Sequence, residues 1–138
     1  MAGSKKYEVY VKSGTNKKAV KKAVKRINNK LGSKVVKVTS NRKKADAVVK
    51  SGNPRGSNAG YTTTGGKKDR ITISRSVDNN PLAKRSERRL AEHEIGHGLG
   101  LEHRTGARNI MNPNSGGGVV RKNQRKQVKQ TYRKGGYK

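Results

Sequence analysis

All three histidines of this 138-residue chain fall in one run, HEIGHGLGLEH, at positions 93, 97 and 103. On an α-helix, His93 and His97 lie about 40° apart around the axis and one turn apart along it, so two imidazoles can share a metal ion. Glu94 projects about 60° beyond His97. That is too far round for a natural third ligand, but near enough to hydrogen-bond a water carried by the metal. A catalytic zinc takes three protein ligands and keeps a fourth position open. The third is expected to be His103, brought round by Gly100, because glycine can take the left-handed conformation that ends a helix and turns the chain back. Zinc acidifies its water and polarises a carbonyl, while a carboxylate takes the proton and passes it to the leaving amine. The pattern therefore predicts one catalytic Zn2+ on His93, His97 and His103, with Glu94 as general base and peptide-bond hydrolysis as the reaction. Two plainer readings compete. Two exposed helical histidines carry no function by themselves, but here every histidine of the chain occupies a ligand position. A structural zinc usually has four protein ligands, and the chain has neither a cysteine nor a fourth histidine to close such a site.

The motif needs a helix under it and a sheet to hold that helix. YEVYVK (7–12) alternates and is rich in β-formers, which predicts a strand. From Thr15 to Leu31, Val20, Val24, Ile27 and Leu31 form one apolar stripe of helical period with lysines around it, and Gly32 is the expected stop. VVKVT (35–39) and ADAVVKS (45–51) read as strands separated by the basic turn SNRKK. A long loop leads to YTTT (61–64), a short edge strand, and then to ITISRS (71–76). The second long helix is expected to start between Pro81 and Ser86 and to end at Gly98 to Gly100. Its face Ala91, Ile95, Leu99 should pack on the sheet. A basic helix over roughly 119–133 closes the chain, and 1–5 and 134–138 are expected to fray. The fold class is α+β: a mixed sheet of about five strands with an antiparallel edge, in a single domain over 1–138.

Composition pulls the other way. The formal charge is +27, from 35 Lys and Arg against 8 Asp and Glu, and only 28% of residues are hydrophobic. Alone, that would suggest a disordered or polyanion-binding chain. Half of the acids, however, are Glu87, Glu92, Glu94 and Glu102, so the histidine segment departs from the basic background. The lysines at 17–30 and the basic residues at 121–134 would draw nucleic acid, an anionic cell-wall polymer or an acidic surface. The alternative function is thus a non-catalytic polyanion-binding protein on a zinc-stabilised fold. With no Trp or Phe and five Tyr, the chain lacks the aromatic interleaving of a single-strand binder. No apolar run approaches the roughly 20 residues that span a bilayer, and MAGSKKYEVY has no apolar signal region. A soluble monomer acting on protein or peptide substrate is expected, with a secreted mature form and a cytoplasmic one both compatible.

The pattern H-E-x-x-H-x-x-G-x-x-H resembles the signature of the metzincin zinc endopeptidases, and SERRLAEHEIGHGLGLEH with NIMNP nearby looks like the matrixin branch. The resemblance implies that Met111 supports the metal site from beneath the histidines, with Gly100 at the bend. It implies that Tyr61, Thr62 and Thr63 bind an extended substrate by β-augmentation, and that Asn112 and Pro113 help to wall the pocket after the scissile bond. Arg104 and Asn112 depart from the usual matrixin residues. Calcium and a second zinc, common in relatives, are not expected here, and no cysteine can serve as a latency switch.

Overall fold

A computed structural model describes residues 6–32, 34–52, 60–64, 66–74, 84–101, 111 and 124–128. The elements are β1 (Tyr7–Val11), α1 (Lys17–Leu31), β2 (Val36–Thr39), a 3₁₀ turn (Arg42–Lys44), β3 (Ala47–Gly52), β4 (Gly60–Thr63), β5 (Asp69–Ser74) and α2 (Lys84–Gly98). One five-stranded sheet runs in the order β2-β1-β3-β5-β4. Its first four strands are parallel, and β4 closes the edge antiparallel to β5. Strand number and antiparallel edge are as expected. The sheet is mixed, as expected, but mostly parallel, so the layering is α/β in character rather than the α+β expected, because crossovers such as α1 return the chain to the same end of the sheet.

Alternation decides which face is core. Tyr7, Val9 and Val11 of β1 are buried, as are Ala47 and Val49 of β3 and Ile71 and Ile73 of β5. The register aligns them across the sheet, Val9 beside Ala47 and Val49 beside Ile71. They share one hydrophobic cluster with the α1 stripe of Val20, Val24, Ile27 and Leu31 and with Ala91, Ile95 and Leu99 of α2. The α2 face expected to meet the sheet does so, against β4 and β5. Alternate residues Glu8, Tyr10, Val48, Lys50 and Arg70 turn to the other face and are half-buried or exposed.

Two polar devices fix the helices. Asn28 spans α1 and β2: its Oδ1 accepts from Val35 N and Val36 N, both at 2.9 Å, and its Nδ2 donates to Val36 O at 2.8 Å. Glu92 of α2, 1% exposed, takes Arg26 at 2.9 Å and Lys30 at 2.5 Å from α1. Part of the basic surface of α1 therefore clamps the two helices together. β5 begins at Asp69, two residues before the expected Ile71. A buried aspartate is tolerated there because its carboxylate accepts from Tyr7 Oη at 2.7 Å, while its N–H donates to Asp46 O at 2.9 Å. β3 begins at Ala47 rather than Ala45, since Ala45 caps the 3₁₀ turn. Of the expected C-terminal helix, 124–128 is helical and the remainder lies outside the described residues.

Candidate active site

α2 carries the motif on its final turns, where Ala91, Ile95 and Leu99 anchor its inner side. The imidazoles of His93 and His97 meet edge to face, with centroids 4.7 Å apart and planes at 90°. His97 Nδ1 lies 2.9 Å from Leu101 O. A carbonyl can only accept, so in the neutral ring the proton is on Nδ1 and Nε2 keeps its lone pair, the tautomer a metal ligand requires. Glu94 is 4% exposed and His93 9%. Thr62 Oγ1 lies 2.8 Å from Glu94 Oε1 and 2.9 Å from Glu94 O, so one edge-strand hydroxyl, with a single proton to give, steadies the carboxylate and abuts the helix backbone.

The helix ends as a Schellman motif. Gly100 has φ 91°, Leu101 N donates to Gly96 O at 2.9 Å, and Gly100 N donates to His97 O at 3.0 Å. The reversal places the Leu101 carbonyl against His97, so the turn orients the imidazole as well as stopping the helix. Gln127 Nε2 of the helical segment 124–128 donates to Gly100 O at 3.0 Å and occupies another carbonyl of the turn.

The glycines inside the motif are explained by what lies beside them. A Cβ at Gly96 would overlap Met111 Sδ and sit 3.3 Å from its Cε. One at Gly98 would overlap Tyr7 Oη and approach Cζ at 3.0 Å. Met111, wholly buried, thus packs its thioether on the helix between His93 and His97. The Tyr7–Asp69 pair supports the helix one turn further on.

Of the expected site residues, the structure brings together His93, Glu94, His97, Thr62, Gly100 and Met111. Thr62 faces Glu94, whereas Thr63 pairs in register with Arg70, on the sheet's other face, and Tyr61 pairs with Thr72. His103, Arg104, Asn112 and Pro113 lie outside the described residues. Among the described residues, His93 and His97 could supply two ligands to a metal, and no third His, Cys, Asp or Glu joins them. Two neutral imidazoles with no thiolate suit zinc better than an all-oxygen cation such as calcium. The donor set therefore fits zinc. Sequence reasoning missed the Thr62 hydroxyl as partner of Glu94, the Glu92 clamp and Gln127; of these, only Glu92, an acid in a basic chain beside the first histidine, left a signal.

An amphipathic helix bearing HExxH, backed by a mostly parallel sheet and faced by an antiparallel edge strand, defines a metallopeptidase type of fold. The chain belongs to the dual-action HEIGH metallo-peptidase family, which matches residues 6–112 and whose naming motif is His93-Glu94-Ile95-Gly96-His97 here. Among solved structures it is similar to archaemetzincin from Methanopyrus kandleri, at 15% identity and TM-score 0.63, over 94% of this chain and 97% of that one. That likeness is one of fold. No curated protein matches the chain. Neither likeness is to matrixins in particular; the class they support is the broader zinc metallopeptidase. No described helix is long and apolar enough to cross a membrane.

Proposed function

We propose that the protein is a zinc-dependent endopeptidase in which His93, His97 and His103 hold one zinc ion and Glu94 is the general base. The observation that carries this reading is the juxtaposition of the perpendicular imidazole pair with a buried carboxylate held by the edge strand. Zinc, when bound, would act as a Lewis acid on the scissile carbonyl and make an attacking water more acidic. Glu94 accepts that water's proton and returns it to the amide nitrogen. A carbon–oxygen bond forms, the carbon–nitrogen bond breaks, and the amine leaves neutral. The substrate lies extended on the free edge of β4, exchanging backbone hydrogen bonds with Tyr61 to Thr63, and Asn112 and Pro113 border the pocket beyond the scissile bond. Gly100 turns the chain so that His103 returns to the metal, and Met111 supports the helix from below. Neither family nor fold separates the matrixin arrangement from other metzincin-like ones, and the matrixin-like pocket wall is part of this proposal.

A peptide-library cleavage profile with and without chelator tests it. Cleavage should vanish on chelation and return with zinc, and Glu94→Ala should keep one bound zinc per chain while losing cleavage. His103→Ala should weaken zinc binding by orders of magnitude. Cleavage indifferent to chelator overturns the mechanism, and zinc affinity indifferent to His103→Ala removes the third ligand.

A further inference from the structure

The face of the sheet remote from α2 carries a second constellation. A groove of about 570 Å³ opens there, lined by Lys12, Arg42, Lys50, Lys67, Lys68 and Arg70 and floored by Val48. These cations are scattered in sequence, but the register gathers them. Tyr10 pairs with Val48, Val48 with Arg70 and Arg70 with Thr63, forming one row across β1, β3, β5 and β4. Lys50 is two residues along β3 from Val48, so it stands on the same face about 7 Å further on.

Lys68 is already engaged, donating to Lys43 O at 3.1 Å and Ala45 O at 2.6 Å, and it ties the β4–β5 turn to the 3₁₀ turn. Arg42 lies over the Tyr10 ring, 5.9 Å from its centroid, which holds its guanidinium at the rim. Among the described residues, none of Lys12, Arg42, Lys50, Lys67 or Arg70 has a carboxylate partner, while Asp46 and Asp69 are committed to the backbone and to Tyr7. Five exposed cations around one concavity repel one another. Compact folding tolerates that, but the surface is complementary to a ligand of high negative line charge.

We infer that this groove binds the phosphodiester backbone of a nucleic-acid segment, separately from the HExxH site on the opposite face. The hydroxyls of Thr63 and Thr64 at its margin add neutral phosphate donors. Arginine's planar fork suits phosphate better than it suits a single peptide carboxylate at the same site, because it can engage two oxygens of a tetrahedral group from several directions. Among the described side chains, Tyr10 is the aromatic beside the groove and already lies under Arg42, so stacking on it contributes little and binding rests on phosphate contacts rather than on base identity.

The test uses the whole chain with a labelled oligothymidylate over a salt series. With about five phosphates neutralised by the groove, log K should fall with log salt at a slope of about −3.5 from this site, and removing two cations should reduce the slope by about 1.4. The variants are Lys50→Gln with Arg70→Gln and, as an independent pair outside the strands, Lys12→Gln with Lys67→Gln. The charge-matched control is Lys21→Gln with Lys25→Gln on the exposed side of α1. Each groove pair should weaken binding about tenfold or more at low salt and lower the slope, while the control pair has the smaller effect on both. Equal losses in all three variants would show a diffuse field and overturn the site. Polyglutamate of matched charge competing as well as the oligonucleotide would make it a general acidic-polymer surface and overturn the nucleic-acid assignment, and no binding at low salt would end the proposal.

Discussion

Replacing Gly96 by alanine adds one methyl to the helix turn that carries His93 and His97, and its effect has two opposed parts. Alanine is the better helix former by about 1 kcal/mol at an interior position. Against this, the new Cβ overlaps Met111 Sδ and lies 3.3 Å from Cε and 3.8 Å from Leu101 Cδ1. Met111 is wholly buried, so its thioether has little room to retreat, and overpacking of this kind costs about 1–3 kcal/mol. Gly96→Ala in the native background should therefore be neutral to destabilising by up to about 2 kcal/mol. Met111→Ala alone should cost about 2–5 kcal/mol through the cavity it leaves. In that background the obstruction is gone, and Gly96→Ala should be stabilising by about 1 kcal/mol. The measurement is a double-mutant cycle by urea unfolding in the presence of chelator, so that metal linkage does not enter. A coupling of about 1–3 kcal/mol is expected, equal to the overlap term alone. If Gly96→Ala shifts stability by the same amount in both backgrounds, the methionine is not what excludes a side chain at 96, and the account of this glycine fails.

Thr62→Val keeps the shape of the side chain but removes the hydroxyl that reaches Glu94. A hydrogen bond to a carboxylate is worth about 1.5–3 kcal/mol, so kcat should fall about ten- to a hundredfold with zinc stoichiometry unchanged, and Thr62→Ser should restore most of it. A loss seen only in KM would instead mean that Thr62 acts on the substrate. For the helix clamp, the structure predicts an asymmetry. Arg26→Ala with Lys30→Ala leaves a buried carboxylate without its two cations and should cost about 3–5 kcal/mol, whereas Glu92→Gln leaves cations that can turn to water and should cost less. Urea midpoints with equal m-values compare the two, and equal costs would contradict the burial argument.

What could be read from the sequence was what repeats with a local period. The stripe Val20, Val24, Ile27, Leu31 and the alternation of Tyr7, Val9 and Val11 announce a buried helix face and a half-buried strand because each apolar residue stands at its element's own repeat. The HExxH spacing is legible for the same reason. What escaped was set by contacts between distant segments. Asp69 looks like a turn residue until Tyr7 supplies its donor from 62 positions away. Gly96 and Gly98 read as helix breakers in a motif, and only Met111 and Tyr7 explain why a side chain cannot stand there. The charge is legible in part: the runs at 17–30 and 121–134 stand out as stretches of sequence, whereas Lys12, Arg42, Lys50, Lys67 and Arg70 are dispersed along the chain and are gathered at one groove by strand register.

The edge strand decides how the two faces are used, and a single glycine sets its position. On the core side of β4, a Cβ at Gly60 would come within 2.8 Å of Thr72 O and 3.3 Å of Leu90 Cδ1 of α2. Gly60 therefore lets the strand lie close to the active-site helix. Two residues on, with the same side-chain direction, Thr62 meets Glu94. Between and beyond them, Tyr61 and Thr63 pair with Thr72 and Arg70. A slip of one residue would turn Thr62 to the basic groove and Thr63 to the carboxylate. It would also bring a side chain, that of Ala59 or Tyr61, to the place Gly60 leaves open against Leu90. The contact that admits only glycine at position 60 thus fixes the register, and the register assigns one threonine to the carboxylate of Glu94 and the next to the cationic face.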